Sequence, residues 1–259
     1  MLSDPRRGPG VPRAPPSALG RTEQGRYSPG NGGRATTVTK TLSHQEARHF
    51  YDRLAARLDS QSFYEDIAIQ RLTEAGGFGR AESVFEFGCG TGRLALDLFE
   101  NHLGEAARYR AHELSPKMVA LARERLEPLG ERARVILTTG RVPENEISES
   151  YDRFVSTYVL DLLSEAQIRD LLFEAWRMLW PGGLLCVASL CPGATPISRT
   201  VMSAWSRIAA RRPALVGGCR PLDLVSFLDA EPWSVLYCET VSRFGVASEI
   251  LIAERRAAA

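Results

Sequence analysis

The chain predicts a three-layer α/β sandwich around a mostly parallel sheet, and three observations carry that expectation. Apolar runs of strand length alternate with helix-length segments between Val84 and Leu190, the pattern of a parallel sheet covered by helices on both faces. The run Val84-Phe85-Glu86-Phe87 breaks at Gly88-Cys89-Gly90-Thr91-Gly92 into Arg93-Leu94-Ala95-Leu96-Asp97-Leu98, which is strand, tight turn, helix. Two strands, about 233–244 and 246–254, then close the chain and make the last strand antiparallel.

Composition narrows the class. The 259 residues, 44% of them hydrophobic, are enough for one substantial core with appendages. A formal charge of +1 provides no global field for nucleic acid. Five cysteines, Cys89, Cys186, Cys191, Cys219 and Cys238, are odd in number and lack C-x-x-C spacing, which argues against a disulfide framework or zinc site and for a reducing, cytoplasmic compartment. His44, His49, His102 and His112 are scattered, so no metal is expected. No run reaches the roughly twenty apolar residues of a membrane span, and the N-terminus lacks the apolar core of a secretory signal. Residues 1–40, rich in Pro, Gly and Arg, are expected to form a disordered tail, leaving 41–259 as a single domain.

Taken in order, residues 43–74 carry apolar positions at helical spacing (Phe50, Leu54, Leu58, then Ile67, Ile69, Leu72), with a break near Asp59-Ser60-Gln61-Ser62 where a second helix can be capped. At the glycine turn, Gly88 permits the sharp bend, Gly90 lets a ligand approach the backbone, and Gly92 lets the helix start close to the sheet. A dinucleotide site asks for G-x-G-x-x-G/A, and Arg93 stands where the last small residue belongs. The second strand, Tyr109–Leu114, carries Glu113 at its tip, where a carboxylate has two oxygens for the two hydroxyls of a ribose. A third strand spans Arg134–Thr139, and a fourth begins near Asp152. A helix from about Ile168 to Trp180 is stopped by Pro181-Gly182-Gly183 before a fifth strand, Leu184–Leu190. An insertion around 192–220 contains a basic amphipathic helix, Ile197–Arg212, with Val201, Met202, Trp205 and Ile208 on one face. A short helix follows Pro221.

Three of these stretches resemble one family. Glu86 to Gly92 is similar to the E/D-x-G-x-G-x-G signature of class I S-adenosylmethionine-dependent methyltransferases, Glu113-Leu114-Ser115-Pro116-Lys117-Met118 to its D/E-x-S-x-x-M run, and Leu179-Trp180-Pro181-Gly182-Gly183 to its L-K-P-G-G turn. The resemblance covers roughly Tyr51 to Ala253 and implies a Rossmann-like seven-stranded sheet of order 3-2-1-4-5-7-6. It implies S-adenosylmethionine as cofactor, held by Tyr51 (in a Y-D-x-x-A segment), Glu86, Gly88, Cys89, Gly90, Gly92, Glu113, Leu114, Met118, Arg141, Val142 and Thr157. Gly140-Arg141 departs from the family's G-D-A. An arginine has donors only, so the adenine amino group must find another acceptor, with backbone groups such as the Val142 N–H holding the ring.

The loop after strand four implies Tyr158 near the transferred methyl and Asp161 as base or orienting acid for the acceptor. The implied activity is methyl transfer to N, O or C of a small molecule, the family's N/D-P-P-Y/F motif for base and glutamine amino groups being absent after strand four. The insertion is then a lid over the acceptor, or a membrane-surface element for a lipid-like or quinone-like acceptor. The alternative is a non-catalytic protein of the same fold that serves as a binding or regulatory module. An NAD-dependent reductase is disfavoured by Arg93 and by the lack of a Tyr-x-x-x-Lys pair.

Overall fold

The computed structural model describes residues 65–142, 146–228 and 232–257, together with 45, 46 and 48, all within one compact unit, 39–259. Its sheet grows outward from β1 (Ser83–Phe87), whose Val84, Phe85, Glu86 and Phe87 are all buried. Successive strand side chains alternate between faces, so both faces need a covering layer. On one, Val84 joins a core with Leu72 of α1 (Asp66–Ala75), Leu98 of α2 (Arg93–Asn101) and Ala122 of α3 (Pro116–Leu126). On the other, Phe85 and Phe87 pack with Ile168, Leu171 and Ala175 of α4 (Glu165–Met178).

The seven strands run in the order β3-β2-β1-β4-β5-β7-β6. β2 (Arg108–Glu113), β3 (Ala133–Leu137), β4 (Tyr151–Thr157) and β5 (Leu179–Leu190) continue the parallel pairing begun at β1. β7 (Val246–Arg255) slots antiparallel between β5 and the edge strand β6 (Trp233–Arg243). This is the expected order, with the expected antiparallel last strand.

Two expectations about elements change. Pro181-Gly182-Gly183 does not stop the preceding helix: α4 starts at a capping box between Ser164 and Gln167 and ends at Met178. Leu179 is already extended at φ −70°, ψ 146°. It pairs with Tyr151, and the next pair is Leu184 with Arg153. The Pro-Gly-Gly therefore lies in a bulge of β5, where a proline without an N–H breaks no needed ladder bond. The segment after Pro221 forms only a 3-10 turn at Val225–Phe227. The helix expected as a lid, α5, spans Pro196–Arg211 and buries Ser198, Met202 and Ala209, leaving Ile208 exposed. Trp205 Nε1 donates to the Cys219 carbonyl at 3.0 Å, tying α5 to the loop that follows. The tail, all but residues 45, 46 and 48 of the first helix of the N-terminal pair, and the break near residues 59–62 lie outside the described residues. Among the described residues no helix is long and apolar enough to cross a membrane.

Candidate cofactor and active site

The glycine turn sits at the carboxyl end of β1, and its glycines do different work. Gly88 has φ 82° and Gly90 φ 56°, the left-handed region that side chains resist. A Cβ on Gly88 would stand 2.3 Å from Val159 Cγ2, so this glycine admits the loop that follows β4. A Cβ on Gly92 would stand 3.2 Å from Ala122 Cβ. Gly92 thus brings α2 against α3, the nearest atoms being those of Ala122 and Leu126, and the close approach is between helices, not between helix and sheet as the sequence suggested. A Cβ on Gly90 would meet nothing within 4 Å, so here the backbone faces open space.

The turn is braced from several elements. Gly88 N–H donates to the His112 carbonyl at 2.8 Å and Gly92 N–H to the Cys89 carbonyl at 3.0 Å. From α3, Arg125 Nη1 donates to the Thr91 carbonyl at 2.9 Å and to its hydroxyl at 2.7 Å. Arg93 pairs with Asp66 of α1 at 2.8 Å.

Glu113 reaches this turn from the tip of β2. Its Oε2 accepts from Gly90 N–H at 3.0 Å, and its Oε1 from the N–H groups of Leu114 and Ser115 at 2.8 and 2.9 Å. Three main-chain donors on one carboxylate fix its orientation. Ser115 in turn caps α3, its Oγ accepting from Met118 N–H at 3.2 Å. The sequence places glycines and acid on one ligand, and the structure joins them directly. One amide expected to face a ligand, that of Gly90, is already engaged by the acid. Open space at the Gly90 Cβ position beside a fixed carboxylate is the geometry that a ribose-bearing cofactor requires.

Glu86 lies beneath the turn, almost wholly buried. It accepts a hydrogen bond from the Tyr109 hydroxyl on β2. Burial, reinforced by the nearby charge of Glu113 and opposed by the Tyr109 bond, pushes its carboxyl up to about 8. Cys89 is buried beside it and its thiol is pushed well up, first by burial and then by the charges of Glu86 and Glu113. These two side chains support the turn from below.

The other predicted positions spread around the same end of the sheet. Met118 is buried in the first turn of α3, and Val142 is half-buried against the second core. Arg141 is exposed, and its carbonyl already accepts from Thr138 Oγ1 at 2.6 Å. The usual acidic acceptor for an adenine amino group has no counterpart at this position. Leu114 is half-buried, and Thr157 ends β4 opposite Ala188. Tyr51 lies outside the described residues.

After β4, Tyr158 adopts φ 56°, a left-handed conformation rare for an aromatic residue. Two bonds fix it: its N–H donates to the Ala188 carbonyl at 2.8 Å, and its hydroxyl lies 2.8 Å from Ser248 Oγ on β7. Burial drives its phenol far above the ordinary value, so its ring, not a phenolate, is what it offers. Asp161, in the 3-10 turn Leu160–Leu162, is completely buried, with both carboxyl oxygens unpartnered. Burial pushes it up to about 7, with Glu65 adding to the rise. The Leu190 amide and Arg220 oppose the rise from outside hydrogen-bonding geometry. Sequence reasoning singled out Asp161 as a candidate but not Arg125, whose contact with Thr91 spans 34 residues and leaves no local pattern.

A mostly parallel α/β sheet with a glycine turn and a strand-end acid at its switch point is an arrangement suited to a nucleoside-bearing ligand. Residues 84–183, somewhat over a third of the chain, match the sequence family described as a methyltransferase domain, which supports a class I S-adenosylmethionine-dependent methyltransferase family. It is 27% identical over 165 residues to the malonyl-[acyl-carrier protein] O-methyltransferase of Marinomonas sp. (strain MWYL1), an alignment covering 64% of this chain and 57% of that protein. The match thus spans little more than half the length of that relative. Among solved structures, an O-methyltransferase family protein from Burkholderia thailandensis superposes with a TM-score of 0.65 at 16% identity, over 86% of this chain and 66% of that one. The [4+2]-cyclase SpnF superposes with a TM-score of 0.63 at 16% identity, over 84% and 98%. These two likenesses establish the fold, which does not by itself fix a reaction.

Proposed function

We propose that this protein is an S-adenosylmethionine-dependent methyltransferase acting at N, O or C of a small molecule. The carrying observation is the Glu113 carboxylate, held by the Gly90, Leu114 and Ser115 amides beside the open Gly90 position. When bound, the cofactor supplies an already activated sulfonium methyl. The chain then needs mainly to align, enclose and exclude water.

Glu113 accepts from the ribose hydroxyls, with the glycine-turn backbone and Leu114 bounding that subsite. Met118, Val142 and Arg141 bound the adenine side, and Thr157 the floor near β4. Glu86 and Cys89 shape the turn from below. The Tyr158 ring, fixed by its bonds to Ala188 and Ser248, is suited to bound the space near the methyl group. Asp161 is the candidate base or orienting acid for a hydroxyl acceptor, a role that requires the turn Leu160–Leu162 to uncover its buried carboxyl. An amine or an activated carbon needs no such base.

Titration calorimetry with S-adenosylmethionine tests the proposal: micromolar binding that collapses in Glu113→Ala while the fold persists is expected, and no heat from folded wild-type protein overturns it. A non-catalytic binding role is the second reading, favoured by Arg141 in place of an acidic acceptor. A methyl-transfer screen against small-molecule extracts with labelled donor separates the two.

A further inference from the structure

Helix α5 and the last hairpin share one rim. Leu190, ending β5, pairs with Ser248 of β7, and the Tyr158 hydroxyl meets Ser248 Oγ. The β6–β7 tip at residues 243–246 therefore stands at the end of the sheet that carries the glycine turn. A Cβ on Gly245 would come within 2.7 Å of Val201 Cγ2, so the tip packs against α5.

Large apolar side chains project from this rim. Phe244 at the tip is 77% exposed and Ile197 on α5 is 74% exposed, with Ile208 and Leu215 also outside. At about 100° per residue, Ile197, Val201 and Ile208 form one stripe, with Arg207 and Arg211 along its edge. Isolated exposed apolar residues are ordinary, whereas a grouped set marks a contact surface.

The charge around them has one sign. Residues 191–222 hold five arginines and no acid, although the whole chain is close to neutral at +1. The tip adds Arg243, whose guanidinium lies over the Phe244 ring at 5.5 Å. Among the described residues, Arg199, Arg207, Arg211 and Arg212 form no ion pair. Arginines alone would suit any acidic partner, and the protruding apolar side chains beside them add a second requirement. An anionic bilayer accepts both, apolar groups in its acyl boundary and arginines at its headgroups.

We propose that α5 and the β6–β7 tip form a docking surface for an anionic lipid bilayer, which sets the rim of the candidate active site against the membrane. As an account of how an acceptor arrives, this rests on the methyltransferase reading; the docking itself does not.

Co-sedimentation of the full chain with phosphatidylcholine vesicles, with and without phosphatidylglycerol, tests it. Wild type is expected to partition onto the anionic vesicles and to release as salt rises. Arg207→Ala/Arg211→Ala should weaken partitioning about 25-fold, at about fivefold per arginine, and Phe244→Ser should weaken it further. Arg134→Ala, on the remote strand β3, should not change it. Folded wild type that ignores anionic vesicles, or variants that bind as wild type does, overturns the proposal. Retention on polyglutamate without vesicle binding also overturns it, in favour of an acidic protein partner. Calorimetry with S-adenosylmethionine on the same samples keeps the two questions apart, since the cofactor can fail to bind while lipid partitioning persists, or the reverse.

Discussion

At the residue scale, two carboxylates of the site have opposite environments. Glu113 is satisfied three times by main-chain donors, and Asp161 not at all. Hydrogen bonds to a charged group contribute roughly 1.5–3 kcal/mol each. Glu113→Ala should therefore weaken S-adenosylmethionine binding by at least about tenfold, measured by calorimetry. For Asp161 the sign runs the other way. Its proton affinity is raised from 3.8 to about 7 on folding, so between those pH values the native state holds more protons than the unfolded chain and stability falls as pH rises. Asp161→Asn should stabilise the protein at pH 8 by about 1–4 kcal/mol and change it little near pH 4, read from denaturant melts at the two pH values. Glu113 was legible in the sequence because strand, helix and strand fix its distance from the glycines. The isolation of Asp161 was not, because burial on all sides is assembled from Leu190, Arg220 and other distant residues.

At the scale of elements, similar glycines should fail differently. Gly88→Ala drives a methyl into Val159 and should unfold the protein at lower denaturant than Gly90→Ala, which meets no atom and bears mainly left-handed strain of about 1–2 kcal/mol. Comparison of their melting midpoints checks the order. The α4 capping box can be tested the same way: Ser164→Ala leaves the Gln167 N–H without its partner and should destabilise by about 1 kcal/mol. The sequence located α4, but it read Pro181-Gly182-Gly183 as its stop. Helix arrest and strand bulge use the same residues, and the pairing of Tyr151 with Leu179 decides between them. That pairing is non-local, which is why the segment was ambiguous on its own.

At the scale of the whole molecule, the alternation of strands and helices made the three layers legible. The order of strands came from resemblance to a family, because composition carries no information about which strand neighbours which. The boundary between the two cores was not legible, since it depends on which side of the sheet each helix returns to. β7 carries a further consequence. Its Ala247, Ile250, Leu251 and Ile252 are buried between β5 and β6, yet they are translated after every other strand. A nascent chain emerging from the ribosome thus leaves the β7-facing edge of the apolar β5 unpaired until residue 255 has cleared the exit tunnel, and for that interval it is a natural client for chaperones.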